Sequence, residues 1–440
     1  MTARLSSLWL PAACVAGATI ACTALDPRTD NQAFVAVVLV WAALACGAAW
    51  TVRQASAVPR WTLVAAVALR AIALGLPLTL SDDVFRYLWE GQVQVAGHNP
   101  FLYAPEASEL AALRDGIWEQ VNHKGVSTIY PPLALHLFTL VSALAYVPLT
   151  WKIVAGLADL ALLHQLGRLV RARSGRAWAI VAYALHPLPV LESAGSGHLE
   201  PLALLALVVG LRLWDAGRVR GAWLALAVGA GIKILPAVAG VSMLRRVRAD
   251  TAVGALGGGL LLGLATLPFL AAGPTLLRGF GTYYESWAFN AALFPWIQTV
   301  AGDAARPVAV GVGALACAIA TLRLRDPARL ALFVGGALVL LSPVVHPWYV
   351  LWALVPALCV GAWPWLVLAS TTLSAYLVLG TLDPTTGAWT EAGWVRWLEY
   401  PPMALAGLWW WRRRTKPWSA PGSAPGGGSS SFPTPRAAST

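Results

Sequence analysis

The residues best suited to chemistry are two adjacent acids, Asp82 and Asp83, placed directly after an apolar run (61–80). A carboxylate at a water–lipid boundary can take a proton from an attacking hydroxyl, and partial burial raises its pKa usefully. The pair also has an ordinary reading: Ser81 or Asp82 caps a helix, Asp83 sits at its positive end, and Arg86 pairs one turn on. A second polar cluster runs from His186 to Pro201, where Glu192, His198 and Glu200 flank Ser193-Ala194-Gly195-Ser196-Gly197. These small residues allow close backbone approach; the ordinary reading is a surface loop with solvated acids. Lys233 interrupts the run 221–244 at its middle, and a lysine there is costly and by default marks a function. Its ordinary reading is a snorkelling lysine at a re-entrant tip near the cytoplasmic face. His346, Trp348 and Tyr349, in a proline-rich break, suit phosphate binding or ring stacking as well as an interfacial aromatic belt. The belt suits Tyr283, Tyr284 and Trp287 better, and His136 and His164 read as structural.

The elements that must position these groups are membrane helices. Of 440 residues, 58% are hydrophobic and only 12% charged, with a mean hydropathy of +0.65. A soluble domain carries about a quarter charged residues, so the chain reads as an integral membrane protein. Its apolar runs, from 8–25 to 394–411, predict roughly eleven to thirteen spans, several short or broken, at about 20 residues per crossing. They must be helices, because lipid leaves no partner for an open backbone and no ten-residue alternation suggests a barrel. The net charge of +11 does not point to nucleic acid. Arg168/Arg171/Arg173/Arg176, Arg212/Arg218/Arg220, Arg245/Arg246/Arg248, Arg323/Arg325/Arg329 and Arg412/Arg413/Arg414/Lys416 lie between apolar runs, as cytoplasmic connectors do. Cys14, Cys22, Cys46, Cys317 and Cys359 lie within apolar runs, without metal or redox spacing, and read as small buried hydrophobes. The first run reads as an uncleaved helix.

The domain reading is a multi-spanning body over 1–412, with outer loops at 81–131 and 273–306, and a disordered cytoplasmic tail over 413–440, rich in Pro, Gly and Ser. The first outer loop is acid-rich (Asp82, Asp83, Glu90, Glu106, Glu109, Asp115, Glu119). Amphipathic spacing predicts two helices on the membrane surface, Asp82 to about Val95 and Glu106 to Val121. Gly97-His98-Asn99-Pro100 turns between them, and Tyr130-Pro131-Pro132 starts the next span. Two runs, 132–147 and 151–167, separate the acidic loop from Arg176 although opposite sides are expected, so one is a partial crossing or an arginine cluster lies outside. Arg220 and Arg245 flank one run, so 221–244 reads as two half-helices that dip in and return.

Five stretches, SDDVFRYLWEGQVQVAGHNPFLYAP, TIYPPL, HPLPVLESAGSGHLEP, GIKILP and SPVVHPWYVLWALVP, occur in that order over about residues 80–356. In order and spacing they resemble the GT-C superfamily, multi-spanning glycosyltransferases that use polyprenyl-phosphate sugars, nearest the bacterial polyprenol-phosphate-mannose-dependent mannosyltransferases. The resemblance implies a GT-C fold on the cell membrane with its site on the non-cytoplasmic face. It implies a polyprenyl-phosphate sugar donor, mannose by nearest likeness, and a lipid- or glycan-linked hydroxyl acceptor. Inverting attack would use one of Asp82 and Asp83 as base, and relatives with acid-x-acid there leave a divalent cation an open matter. Arg86, His98, Lys124 and Lys233 would face the departing phosphate. Tyr87, Asn99, Tyr130, Glu192, His198, Glu200, His346, Trp348 and Tyr349 would contact donor or acceptor.

The competing reading is a transporter or flippase of lipid-linked sugars, whose usual mark is paired repeats; no repeat is seen. Polysaccharide polymerases and ligases of the same membrane class are a further alternative. No zinc spacing and no Gly-Lys-Ser/Thr phosphate cradle are present, so neither a zinc site nor a nucleotide-sugar site is expected.

Overall fold

A computed structural model describes residues 9–173, 176–244, 249–383 and 388–415. The Arg245/Arg246/Arg248 cluster and the tail from Lys416 onward lie outside the described residues.

The protein is an all-α multi-pass membrane protein, 76% helical, with no strand among the described residues. Among the described residues, five helices are long and apolar enough to cross a membrane: Asn31–Thr51, Pro148–Arg173, Ala249–Ser286, Phe294–Arg323 and Pro364–Thr381. The pair Pro187–Gly195 and Glu200–Asp215, bent by 117°, makes a sixth if counted as one span. Trp9–Thr23, Trp61–Ala73, Pro132–Leu144, Val219–Ala230, Pro327–Leu341 and Pro347–Val360 are apolar but shorter. Long, bent and short segments together make twelve among the described residues, in keeping with eleven to thirteen spans of which several are short or broken. A 13-residue helix covers about 20 Å, against a hydrocarbon core of about 30 Å.

The two ends of the bundle differ in chemistry. At one end the basic connectors meet: Arg173 lies 2.7 Å from Asp215 and 3.1 Å from Asp326, and Arg176 donates to the Val360 carbonyl. The Pro148–Arg173 helix, about 39 Å long at 1.5 Å per residue, leads from there to the other end. At that end Lys152 donates to the carbonyls of Leu74 and Leu76, closing the segment that leads into Asp82.

Both topological conflicts are resolved by short helices. Pro132–Leu144 makes no full crossing; it packs antiparallel on the Asp83–Val95 helix. Ser142 Oγ donates to the Leu88 carbonyl and Gln94 Nε2 to that of Leu135, both at 3.0 Å. A Cβ on Gly91 would lie 2.3 Å from the Phe138 carbonyl oxygen, so only glycine permits this approach. The 221–244 run folds as the two half-helices Val219–Ala230 and Leu235–Met243. Arg220, at the mouth of this hairpin, pairs with Asp250 at 2.8 Å, so the chain does return to the end it left.

Around the first acidic stretch one local expectation is corrected. The Asp83–Val95 helix forms as expected, and its Val84, Arg86, Tyr87, Leu88, Trp89, Glu90, Gly91 and Val93 are buried within the protein. Residues 106–121 form no single helix, only a short 3-10 helix, Ser108–Leu113, and a four-residue turn of helix, Gly116–Glu119. The connector carbonyls of Asn122, His123 and Val126 instead bond Arg86, which pins this stretch back on the helix. In the 273–306 region, Arg278–Ser286 and Phe294–Ala301 are helical on either side of a short break.

Candidate active site

Asp82 and Asp83 open the Asp83–Val95 helix, and the ordinary reading is met in part: Ser81 Oγ accepts the Asp83 amide at 3.3 Å and Asp83 stands in the first turn. Asp82 stands at the N-cap and its carboxylate accepts no capping bond. Arg86, one turn on, pairs with buried Glu90 at 2.8 Å instead. The acids are gathered from outside their helix: Asn122 Nδ2 donates to Asp82 Oδ1 at 2.6 Å and lies 3.4 Å from Asp83 Oδ1. Tyr87 and His198 approach Asp83 Oδ2 from behind, at 3.5 and 3.8 Å. Burial first, and the adjacent Asp83 charge second, push the Asp82 carboxyl up to about 6, while the Asn122 bond holds it down.

Both acids face a cavity of about 700 Å³ at the non-basic end of the bundle. Its wall includes Ser81, Arg86, Asn122, His123, Lys124, Tyr130, Lys233, Tyr283, Trp287, His346, Trp348, Tyr349 and Tyr376. It is thus assembled from segments nearly 300 residues apart.

Lys233 sits at the break of the 219–243 hairpin. Its Nζ lies 3.1 Å from Glu200 Oε1 and about 6 Å from the ring centres of Tyr130, Tyr349 and Trp352. Three rings so near an ammonium each add a modest cation–π attraction. Glu200 is fully buried, and its Oε2 has no hydrogen-bond partner among the described residues. Opposite, His346 stacks flat on Trp348 at 4.3 Å, and Tyr283 and Tyr349 share a hydroxyl contact of 2.8 Å.

Residues 186–201 are no solvated loop. Glu192, His198 and Glu200 are all 0% exposed. Pro187–Val190 runs into a five-residue π-helical turn, Leu191–Gly195, a geometry frequent at functional sites. Gly197 then takes a left-handed φ of +75°, which turns the chain so that His198 lies beneath Ser81 and the next helix starts at Glu200.

The remaining expected contacts divide. Tyr130, Lys124, His346, Trp348 and Tyr349 line the cavity; Lys124 Nζ also donates to the Glu119 carbonyl. Arg86 lines it too, but its guanidinium is occupied by Glu90 and three carbonyls. Tyr87 is buried behind the wall among Tyr130, Phe138 and Trp151. His98 and Asn99 are not among the lining residues: His98 packs on Tyr103, and Asn99 accepts from the Phe101 amide. Glu192, His198 and Glu200 also lie behind the lining. Tyr283 and Trp287, assigned to the aromatic belt by sequence, face the cavity. His136 is structural, bonded to the Ala265 carbonyl at 2.8 Å.

Sequence reasoning missed Asn122, His123, Tyr376 and Arg28, all on the wall. His123 carried no signal, although its φ of +44° is the kind of strain that collects at functional sites. Among the described residues no three His, Cys or carboxylate side chains converge as metal ligands, so this donor set does not by itself make a divalent-cation site.

The comparison that decides the class concerns the middle of the chain. Residues 128–343 match the model of Glycosyltransferase family 87. With the multi-pass helical fold, the match supports a membrane glycosyltransferase. It covers just under half of this glycosyltransferase, including Glu192, His198, Glu200 and Lys233 but neither Asp82, Asp83 nor His346. No curated protein and no solved structure matches the chain.

Proposed function

We propose that this glycosyltransferase moves a sugar, mannose by the resemblance, from a polyprenyl-phosphate donor to a hydroxyl of a lipid- or glycan-linked acceptor. We place the reaction on the non-cytoplasmic face, because the basic connectors gather at the end away from the cavity. The observation that carries the reading is a partly exposed carboxylate, Asp83, set beside a second, Asp82, in a roomy chamber walled by aromatic rings and two lysines.

Asp83 is the base in this reading. Its side chain is 24% exposed, whereas Asp82 is held by Asn122. The acceptor hydroxyl attacks the anomeric carbon from the face opposite the phosphate, Asp83 takes its proton, and the carbon–oxygen electron pair departs with the lipid phosphate. Lys233 faces the charge that develops there, in a setting where fixed cations act strongly. His346 and Trp348 offer flat faces for a sugar ring. Asp82 keeps a second negative charge beside the positive anomeric centre.

The test supplies purified protein in lipid nanodiscs with radiolabelled polyprenyl-phosphate mannose, glucose or arabinose and a panel of acceptors. Transfer from one donor, lost in Asp83→Asn with the fold intact, is expected. Movement of intact donor across a bilayer without sugar transfer overturns the proposal in favour of a flippase.

A further inference from the structure

Behind Asp83 lies a set of titratable side chains that the transfer step leaves unused. His198 turns both ring nitrogens to partners: Nδ1 lies 3.0 Å from Glu192 Oε2, and Nε2 lies 3.0 Å from Ser81 Oγ. The same Nε2 is 3.8 Å from Asp83 Oδ2. The other Glu192 oxygen accepts from the Tyr376 hydroxyl. Among other neighbours, the Trp348 ring lies 4.0 Å from the imidazole, and the charges of Glu200 and His346 act on it. Lys152 packs against Gly197, next in the chain, but its ammonium is spent on two carbonyls.

A carboxylate on Nδ1 fixes the imidazole tautomer, because Nδ1–H must donate to it and Nε2 is left with its lone pair. That lone pair faces the Ser81 hydroxyl, whose oxygen accepts the Asp83 amide at 3.3 Å. A buried Glu–His pair whose second ring nitrogen lies 3.8 Å from the carboxylate of the base is more than a helix staple requires. Stapling would be met by hydrogen bonds between neutral groups.

We propose that Glu192 and His198 form a buried proton relay that draws the acceptor's proton off Asp83 after each transfer. This rests on the reading of Asp83 as the base. Asp83 gains the proton as the new glycosidic bond forms and the anomeric carbon–phosphate bond breaks. It passes that proton to His198 Nε2, which lies 3.8 Å from Asp83 Oδ2, giving an imidazolium paired with Glu192. Asp83 is then a carboxylate again while product still fills the chamber, and the buried imidazolium returns the proton by way of Asp83 to water once product leaves. His198 acts through Asp83 and touches no substrate, so it is a positioning and relay residue.

The experiment compares His198→Gln and Glu192→Gln with wild type in nanodiscs, across pH, with kcat, donor KM, solvent deuterium isotope effect and melting temperature. Losing a proton-transfer group lowers kcat by about 10–100-fold, the low end for such catalysis, with donor KM within about twofold. The isotope effect on kcat rises as Asp83 discharge becomes limiting, and the kcat–pH profile loses one ionisation. Glu192→Gln removes the charge, keeps one oxygen to accept from His198 Nδ1–H and turns its NH2 to donate to the Tyr376 hydroxyl oxygen, so it guards against a folding artefact in the histidine variant. His198→Ala is expected to regain activity with added imidazoles in order of their basicity. Wild-type kcat, isotope effect and pH profile in His198→Gln overturn the relay, as does a loss carried by KM alone. If Asp83→Asn transfers as well as wild type, the assignment of the base fails and the relay falls with it. Inactive Asp83→Asn beside an unaltered His198→Gln removes the relay alone.

Discussion

Two clusters of buried charge in this glycosyltransferase invite comparison. Between the membrane helices Arg70 lies 2.7 Å from Asp159. The other Asp159 oxygen accepts from the Tyr183 hydroxyl, and Arg70 also donates to the Ala184 carbonyl. Both charged side chains are at most 3% exposed, and none of the three residues faces the cavity. At the candidate site, in contrast, Asp83 is 24% and Lys233 20% exposed, and a Glu200 oxygen lacks a hydrogen-bond partner among the described residues. Desolvating charge is costly in both places. The first cluster recovers that cost by closing on itself and tying three segments together. The second leaves part of its bonding capacity open to a cavity, which is what a site for a charged, transient ligand needs.

The largest expected effect separates the two at once. Asp83→Asn should lower kcat by about 10³–10⁴-fold, in the upper range for a general base, with little change in melting temperature. Asp159→Ala should do the reverse. Leaving Arg70 buried and unpaired costs about 3–5 kcal/mol, read as a lower melting temperature in detergent, while protein that remains folded keeps its donor KM. If Asp159→Ala abolishes transfer at full stability, the two clusters are not distinct in kind.

Lys233→Met sharpens the contrast, because it removes the cation facing the phosphate and also strands Glu200. A fall in kcat/KM of about 100-fold is expected, of the size seen when one fixed charge-stabilising donor is lost, together with lowered stability. Adding Glu200→Gln should restore melting temperature without restoring rate; recovery of both would make Lys233 a staple like Arg70.

The smallest effects concern Asp82. Since burial raises its carboxyl to about 6, protonation favours the fold, and this stabilisation is present below the ordinary aspartate range near 4 and lost as pH rises through 6. Asp82→Asn should therefore melt above wild type at pH 8, with the gap closing by pH 4. If Asp82 must be ionised for transfer, the acidic limb of kcat lies near pH 6. Asn122→Ala, which deletes a bond that holds the Asp82 pKa down, should move that limb to higher pH. A limb that stays in place shows that Asp82 does not titrate in the working range.

How far the site was legible varies residue by residue. Lys233 could be singled out because a lysine between two half-helices breaks an apolar pattern, and the hairpin does carry it to the cavity wall. His98 and Asn99 belonged to an equally suggestive stretch, yet the turn they form packs locally, away from the chamber. Asn122 looked like any loop residue. Its importance comes from Arg86 pulling the 122–126 backbone onto the helix, an arrangement with no periodic signature. The amphipathic spacing of 106–121 suggested a helix that local carbonyl bonding replaced with turns.

The order of the hydrophobic runs was enough to settle that the chain is a helical membrane protein, because a backbone in lipid has no other way to satisfy its hydrogen bonds. The same pattern showed that 221–244 is broken and that acids collect after the third run. Composition and period report on single elements and their solvent. Only the tertiary structure decided which charges are closed off and which face open space, because that depends on contacts between segments far apart in sequence, such as Asp83 with His198 and Lys233 with Glu200.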